Sequence, residues 1–128
     1  MKTALLLIAH GSRNAEANDD LHYVVTALRR REPYSIVEAS FLEMAEPDIG
    51  SGGAKCVALG ADRVILLPYF LSPGIHVRKD LQAFREKLSA DFPGVTFLLA
   101  EPLGRHDTLI ELLELRAKEA EHKGDGDE

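Results

Sequence analysis

Ala4-Leu5-Leu6-Leu7-Ile8-Ala9, followed at once by His10-Gly11-Ser12-Arg13, is a continuous apolar run that breaks off into a polar turn. A run that is apolar at every position, rather than at alternate ones, is how a parallel strand buried on both faces reads. Asn14 to Arg31 then places Leu21, Val24, Val25 and Leu28 on one stripe with charged residues opposite, and Pro33 stands just beyond its end. That is an amphipathic helix with a stop signal. A buried strand feeding such a helix is the repeating unit of an α/β fold, and the pattern recurs along the chain.

Ser35 to Leu42 is a second strand, and Pro47-Asp48 opens a second helix that ends near Gly60. Gly50, Gly52 and Gly53 weaken that helix on propensity, at about 1 kcal/mol each against alanine. Arg63 to Phe70, with Val-Ile-Leu-Leu inside it, is the third strand and the most apolar segment. Val77, Leu81, Phe84 and Leu88 then recur on one face of a third helix. Pro93-Gly94 turns into a fourth strand, Val95 to Leu99. A fourth helix from about Asp107 to Ala120 is expected to turn Leu109, Leu112, Leu113 and Ala117 inward. Four β-α units in succession give a parallel sheet with helices on both faces. The expectation is one flavodoxin-like three-layer sandwich over residues 1–121, strand order 2-1-3-4, with a polar flexible tail over 122–128.

The 128 residues suffice for one domain with a core, and 45% hydrophobic content is that of a globular chain. A net charge of −6 argues against a nucleic-acid partner held by phosphate contacts. A local basic cluster can still receive an anionic small molecule. No stretch reaches the ~20 apolar residues of a membrane span. The run before His10 is too short for a signal peptide. The single Cys56 offers neither an intramolecular disulfide nor a thiolate metal cluster and reads as a small buried residue. A cytoplasmic setting is expected.

In an open parallel sheet, ligands bind beyond the carboxyl ends of the strands, where the strand order reverses. With order 2-1-3-4 that crevice lies between strands one and three. His10-Gly11-Ser12-Arg13 and Ser72-Pro73-Gly74-Ile75-His76 flank it, and Glu43 ends the strand next door. Taken singly, a loop histidine is usually an ordinary surface residue, and Gly11 fits any tight turn. The convergence of His10 and His76 on one crevice is what points to a metal. Glu43 is a third candidate ligand, in competition with Glu46. Imidazole nitrogens with one carboxylate suit a borderline divalent ion such as Co²⁺, Fe²⁺, Ni²⁺ or Zn²⁺. Two or three protein ligands leave coordination positions open, as passing a metal onward requires. Imidazole also titrates near neutral pH and can accept protons released during metal insertion.

Arg13, Arg78, Lys79 and Arg105 gather at the same rim. Arg78 and Lys79 fit the polar face of the third helix equally well, but an arginine there is suited to bidentate pairing with a substrate carboxylate. His106, beside Arg105, is a secondary candidate. Gly50-Ser51-Gly52-Gly53 lacks the Lys-Ser/Thr of a phosphate-binding loop. Ile8-Ala9-His10-Gly11 has Ala9 where the Arg-His-Gly motif of histidine phosphatases needs arginine.

Three segments carry a family resemblance. Leu7 to Arg13, Ala39 to Pro47 (Ala-Ser-Phe-Leu-Glu-Met-Ala-Glu-Pro) and Leu67 to Val77 (Leu-Pro-Tyr-Phe-Leu-Ser-Pro-Gly-Ile-His-Val) resemble the signature segments of the small CbiX/SirB-type sirohydrochlorin chelatases, of the class II chelatase family. The resemblance spans roughly residues 3 to 117, and its third segment is the most specific. It implies that His10 and His76 are the metal-binding and catalytic pair, with Glu43 as an additional metal-site residue. Ser12, Arg13, Arg78, Lys79 and Arg105 are the candidate contacts to substrate carboxylates. The implied reaction is insertion of Co²⁺, or of Fe²⁺ or Ni²⁺, into sirohydrochlorin without ATP or any nucleotide, on the way to cobalamin, siroheme or a nickel tetrapyrrole. Longer members carry two such modules, so a single module is expected to pair as a homodimer with two clefts facing each other. The Gly-rich second helix departs from the family pattern. The competing reading is a metal- or tetrapyrrole-carrying module without turnover.

Overall fold

The computed structural model describes residues 1–126. Eight elements alternate along the chain: β1 (Thr3–Ala9), α1 (Ala15–Arg31), β2 (Ile36–Phe41), α2 (Ile49–Ala58), β3 (Arg63–Pro68), α3 (Ile75–Asp91), β4 (Thr96–Leu99) and α4 (Asp107–Gly126). The four strands form one parallel sheet in the order β2-β1-β3-β4. β1 lies in its interior, which is why its six residues Thr3 to Ile8 are all buried. The reversal of strand order therefore falls between β1 and β3, as expected.

Two apolar layers cover the sheet. Leu6, Ile8, Val64, Leu66 and Phe97 pack against Ile49 and Cys56 of α2 and Leu81 and Leu88 of α3. On the opposite face Leu5, Leu7, Val37 and Phe41 pack under Leu21 and Val25 of α1. The glycines that weaken α2 on propensity have a packing role. A Cβ on Gly52 would lie 2.9 Å from Leu6 Cδ1 and 3.0 Å from Ser40 Cβ, and one on Gly53 would lie 2.8 Å from Leu88 Cδ2. Their bare backbone lets α2 settle directly on the sheet and against α3. Asp48 starts this helix, its side chain accepting from the Ser51 N–H at 2.8 Å, which satisfies one of the orphan donors of the first turn.

A charged cluster at the β2 edge has no signature in the sequence pattern. The Glu38 carboxylate, almost wholly buried, receives Lys55 Nζ of α2 at 2.7 Å and the Arg29 guanidinium of α1. Arg29 Nε also donates to the Val37 carbonyl at 2.8 Å. One carboxylate on the edge strand thus ties together helices from both layers. Burial pushes the neighbouring Cys56 thiol up to about 12, with the Glu38 charge acting in the same direction.

The expectation for the fourth helix fails. α1 packs on β1 and β2, α2 on β1, β2 and β3, and α3 on β4; α4 makes no comparable packing with any element. Leu109 is half-buried, but Leu112, Leu113 and Ala117 are exposed rather than inward, and Ile110 is exposed with them. Periodicity shows that a helix has an apolar face; it does not show which chain supplies the surface that covers it. α4 also continues to Gly126, so the first part of the expected tail is helical, and Asp127 and Glu128 lie outside the described residues. No helix among the described residues is long and apolar enough to cross a membrane.

Candidate metal centre

The β1–β2 pairing does not stop where the strands end. Leu42 N–H donates to the Ala9 carbonyl at 2.9 Å, and Glu43 N–H donates to the His10 carbonyl at 3.1 Å. His10 and Glu43 therefore leave the carboxyl edge of the sheet side by side. Gly11 permits this: its φ is +96°, and a Cβ there would stand 1.8 Å from the Glu43 carbonyl oxygen. Only a residue without a side chain lets the two loops lie this close. The result is an imidazole–carboxylate contact, His10 Nε2 to Glu43 Oε1, of 3.2 Å, with both side chains about half exposed. Phe70, just beyond β3, meets the His10 ring edge-on at a centroid distance of 6.4 Å, within the range of a favourable aromatic pair. The imidazole is thus held from two sides and open on the rest.

Beside this pair is an open hollow of about 490 Å³, lined by His10, Leu42, Glu43, Val77, Asp80, Ala83, Phe84 and Lys87. Asp80 and Lys87 belong to it through their places on α3, and helical spacing alone gives them no role. Glu46 is exposed and has no ion pair with His10, so of the two competing glutamates the geometry seats Glu43. His76 stands in the first turn of α3, after the cap residue Gly74, and is exposed. Its neighbour Val77 faces the hollow, and adjacent helix positions diverge by about 100°. Among the described residues no three His, Cys, Asp or Glu side chains come together as a metal cluster. Two of the three expected ligands are assembled here, and the third is not joined to them.

The loop residues sort differently from one another. Ser12 is committed to the β1–α1 turn: its N–H donates to Asn18 Oδ1 at 3.0 Å, its carbonyl accepts from Asn18 Nδ2 at 2.9 Å, and its hydroxyl accepts from Asn14 N–H at 3.0 Å. Asn18, on α1, is a positioning residue for this turn, and nothing in the sequence pattern marks it as one. Arg13 is exposed at the turn's end. Arg78 donates from Nε to the Pro73 carbonyl at 3.3 Å and lines a second hollow, on the other flank of α3, with Gln82 and Arg85. Lys79 is exposed beside it, and Arg105 sits in a left-handed conformation, φ 54°, just ahead of α4. None of these cations is ion-paired to Glu43 among the described residues. His106 accepts the Thr108 N–H on Nδ1 at 3.1 Å, a helix-capping task.

One imidazole and one carboxylate provide two donors suited to a borderline divalent ion, with the remaining coordination positions free for a second histidine, water or incoming substrate.

The CbiX family model matches residues 4–120. The chloroplastic sirohydrochlorin ferrochelatase of Arabidopsis thaliana is 34% identical over 97% of this chain and 56% of its own length. The sirohydrochlorin cobaltochelatase of Sulfurisphaera tokodaii is 30% identical over 90% of this chain and 91% of its own. Among solved structures, a CbiX protein of Marinobacter aquaeolei VT8 superposes with TM-score 0.82 at 29% identity, covering 94% of this chain and 98% of that one. The sirohydrochlorin chelatase SirB of Bacillus subtilis subspecies spizizenii in complex with cobalt gives 0.84 at 26% identity, over 93% of this chain and 51% of that one. The chain spans about half the length of several of the curated relatives it matches. On the extent of the family match and the likeness to relatives of its own length, the chain belongs to the CbiX family.

Proposed function

We propose that this protein inserts a divalent metal ion into sirohydrochlorin without ATP, as a lyase-type chelatase acting in the cytoplasm as a homodimer. The observation that carries the reading is the His10–Glu43 pair, held at the carboxyl edge of the sheet by a glycine that nothing larger can replace. The relatives are named as cobalto- and ferrochelatases acting on sirohydrochlorin. Co²⁺ is the leading metal substrate, with Fe²⁺ and Ni²⁺ as alternatives, since nitrogen and oxygen donors accept all three and availability in the cell, rather than their rank in the affinity series, decides among them.

In this reading His10 and Glu43 take the ion first, and His76 completes the set by a movement of the first turn of α3. Insertion exchanges two pyrrole N–H protons for one M²⁺. Each proton passes to a basic group of the site, His10 or His76, and from there to solvent. The open coordination positions are taken by pyrrole nitrogens as the protein ligands let go. Arg13, Arg78, Lys79 and Arg105 are the groups available to pair with the carboxylates of the macrocycle.

Turnover is the test. A catalytic amount of protein mixed with excess Co²⁺ and sirohydrochlorin is expected to convert many equivalents, followed by the absorbance change of the macrocycle. Saturation at one equivalent per site would instead identify a carrier.

A further inference from the structure

The first turn of α3 is weakly tied. Its cap residue Gly74 supplies no side-chain hydrogen bond, no acidic residue stands in that turn, and Ile75 at its start is 70% exposed. The first N–H groups of the helix therefore have no side-chain acceptor to fix them. His76 stands in this turn, and few contacts set its position.

It is nevertheless on the right side of the helix. Val77, Asp80, Phe84 and Lys87 of α3 line the hollow beside His10 and Glu43. At about 100° per residue, Val77 lies about 60° to one side of Asp80 and His76 about 40° to the other. His76 is thus set apart from the hollow along the helix axis, by one turn, rather than around it. Asp80 is the residue directly below it, four positions on, with its Cβ about 5–6 Å away. Helix side chains lean toward the N-terminus, so the Asp80 carboxylate leans toward the turn that holds His76. Asp80 has no other engagement. It is exposed, and among the described residues it forms no ion pair, even with Lys87 on the same stripe.

We infer that Asp80 is the positioning residue for His76: its carboxylate accepts a hydrogen bond from one ring N–H, draws the imidazole down to the hollow, and leaves the other ring nitrogen for the ion taken by His10 and Glu43. This rests on the chelatase reading above and supplies what brings the third ligand to the other two. A ligating imidazole needs its remaining N–H satisfied and its ring orientation fixed. A carboxylate partner does both, and makes the ligating nitrogen more basic. Spacing alone would leave Asp80 a surface carboxylate. Its place in the hollow that holds the His10–Glu43 pair, its lack of another partner and the loose turn above it together assign the role. Asp80 is not itself a ligand, since among the described residues it does not join His10 and Glu43 in a metal-holding group.

A double-mutant cycle on the full chain tests the assignment, read by Co²⁺ titration of Asp80→Ala, His76→Ala and the double variant. Both residues are exposed, so each variant is expected to keep the parental circular dichroism. Asp80→Ala is expected to weaken Co²⁺ binding about 10- to 100-fold. In the His76→Ala chain, where the His10–Glu43 pair remains, the same substitution is expected to change affinity by less than about 2-fold, because Asp80 acts through the missing imidazole. Proton NMR of the Co²⁺-loaded chain in water gives a second reading. The exchangeable ring N–H signal that disappears in His76→Ala is expected to disappear from Asp80→Ala as well, at saturating Co²⁺, because the unpartnered proton exchanges with solvent. Parental affinity in Asp80→Ala, an equal loss with and without His76, or a His76 signal that survives Asp80→Ala would overturn the positioning role and leave the chelatase reading standing. A His76→Ala chain that binds Co²⁺ as the parent does would overturn both.

Discussion

Gly11→Ala is the perturbation that most directly links the fold to the site. The added Cβ would sit 1.8 Å from the Glu43 carbonyl oxygen and 2.9 Å from its carbon, on a residue whose φ is +96°. No rotamer change relieves this, because the obstacle is backbone. The positive φ costs a residue bearing a Cβ about 1–2 kcal/mol. Forcing atoms into an occupied space adds about 1–3 kcal/mol. The sum, about 2–5 kcal/mol, is a large share of the ~5–15 kcal/mol that stabilises an ordinary domain. Relief comes only by parting the two loops, which lengthens the Glu43 N–H to His10 carbonyl bond and separates the imidazole from the carboxylate. Urea unfolding followed by circular dichroism measures the first effect, and Co²⁺ titration the second. Gly94→Ala is the control, since a Cβ there would meet no heavy atom within 4 Å, and a change within about 0.5 kcal/mol is expected. Gly11→Ala is expected to lower the unfolding midpoint clearly and to weaken Co²⁺ binding about 10- to 100-fold, as disturbed metal-ligand support commonly does. If both variants match the parent in midpoint and affinity, the role assigned to the close approach at Gly11 is wrong.

Glu38→Gln keeps the shape of the side chain and removes the charge that Arg29 and Lys55 share; a loss of about 1–3 kcal/mol in thermal or urea unfolding is expected, limited because both cations remain half exposed to water. The loss should shrink at high salt. Cys56, whose thiol is pushed up to about 12 by burial, is expected to react with iodoacetamide at pH 8 about 10³-fold more slowly in the folded chain than in urea, because the thiolate is the nucleophile. Equal rates would place that thiol at the surface. Asp48→Ala removes the cap of α2 and is expected to cost about 1 kcal/mol at neutral pH. The hydrogen bonds from Ser51 hold the Asp48 carboxyl below its ordinary range. Its contribution is therefore fully present above that range and fades as pH falls through the lowered value, so parent and variant should begin to converge in stability only below about pH 4.

Much of this molecule is legible in its sequence, for identifiable reasons. β1 reads as a doubly covered strand because every residue from Thr3 to Ile8 is buried, and the alternation of such runs with amphipathic stretches leads to the observed order β2-β1-β3-β4. Propensity misjudges the Gly-rich stretch of α2, because the value of Gly52 and Gly53 lies in the atoms of Leu6, Ser40 and Leu88 that they let approach. The Glu38 cluster is invisible to pattern, since a glutamate inside a strand gives no hint of which cations will reach round the sheet edge. Periodicity turns the apolar stripe of α4 inward, and the course of the backbone past Leu71 decides otherwise. At the site, topology alone puts His10 and Glu43 at one edge, and hydrogen bonding of the two loops brings them into contact. His76 depends on the direction of a helical first turn, which spacing along the chain does not carry.

His76 is accordingly the member of the proposed chelatase site that the geometry leaves apart from the other two. The steady-state rate of Co²⁺ insertion into sirohydrochlorin by His76→Ala, measured on protein whose circular dichroism matches the parent, is the most direct test. A fall of about 10²-fold or more is expected for loss of a ligand that also takes up protons. A variant that inserts metal at the parental rate would contradict the chelatase site proposed for this chain.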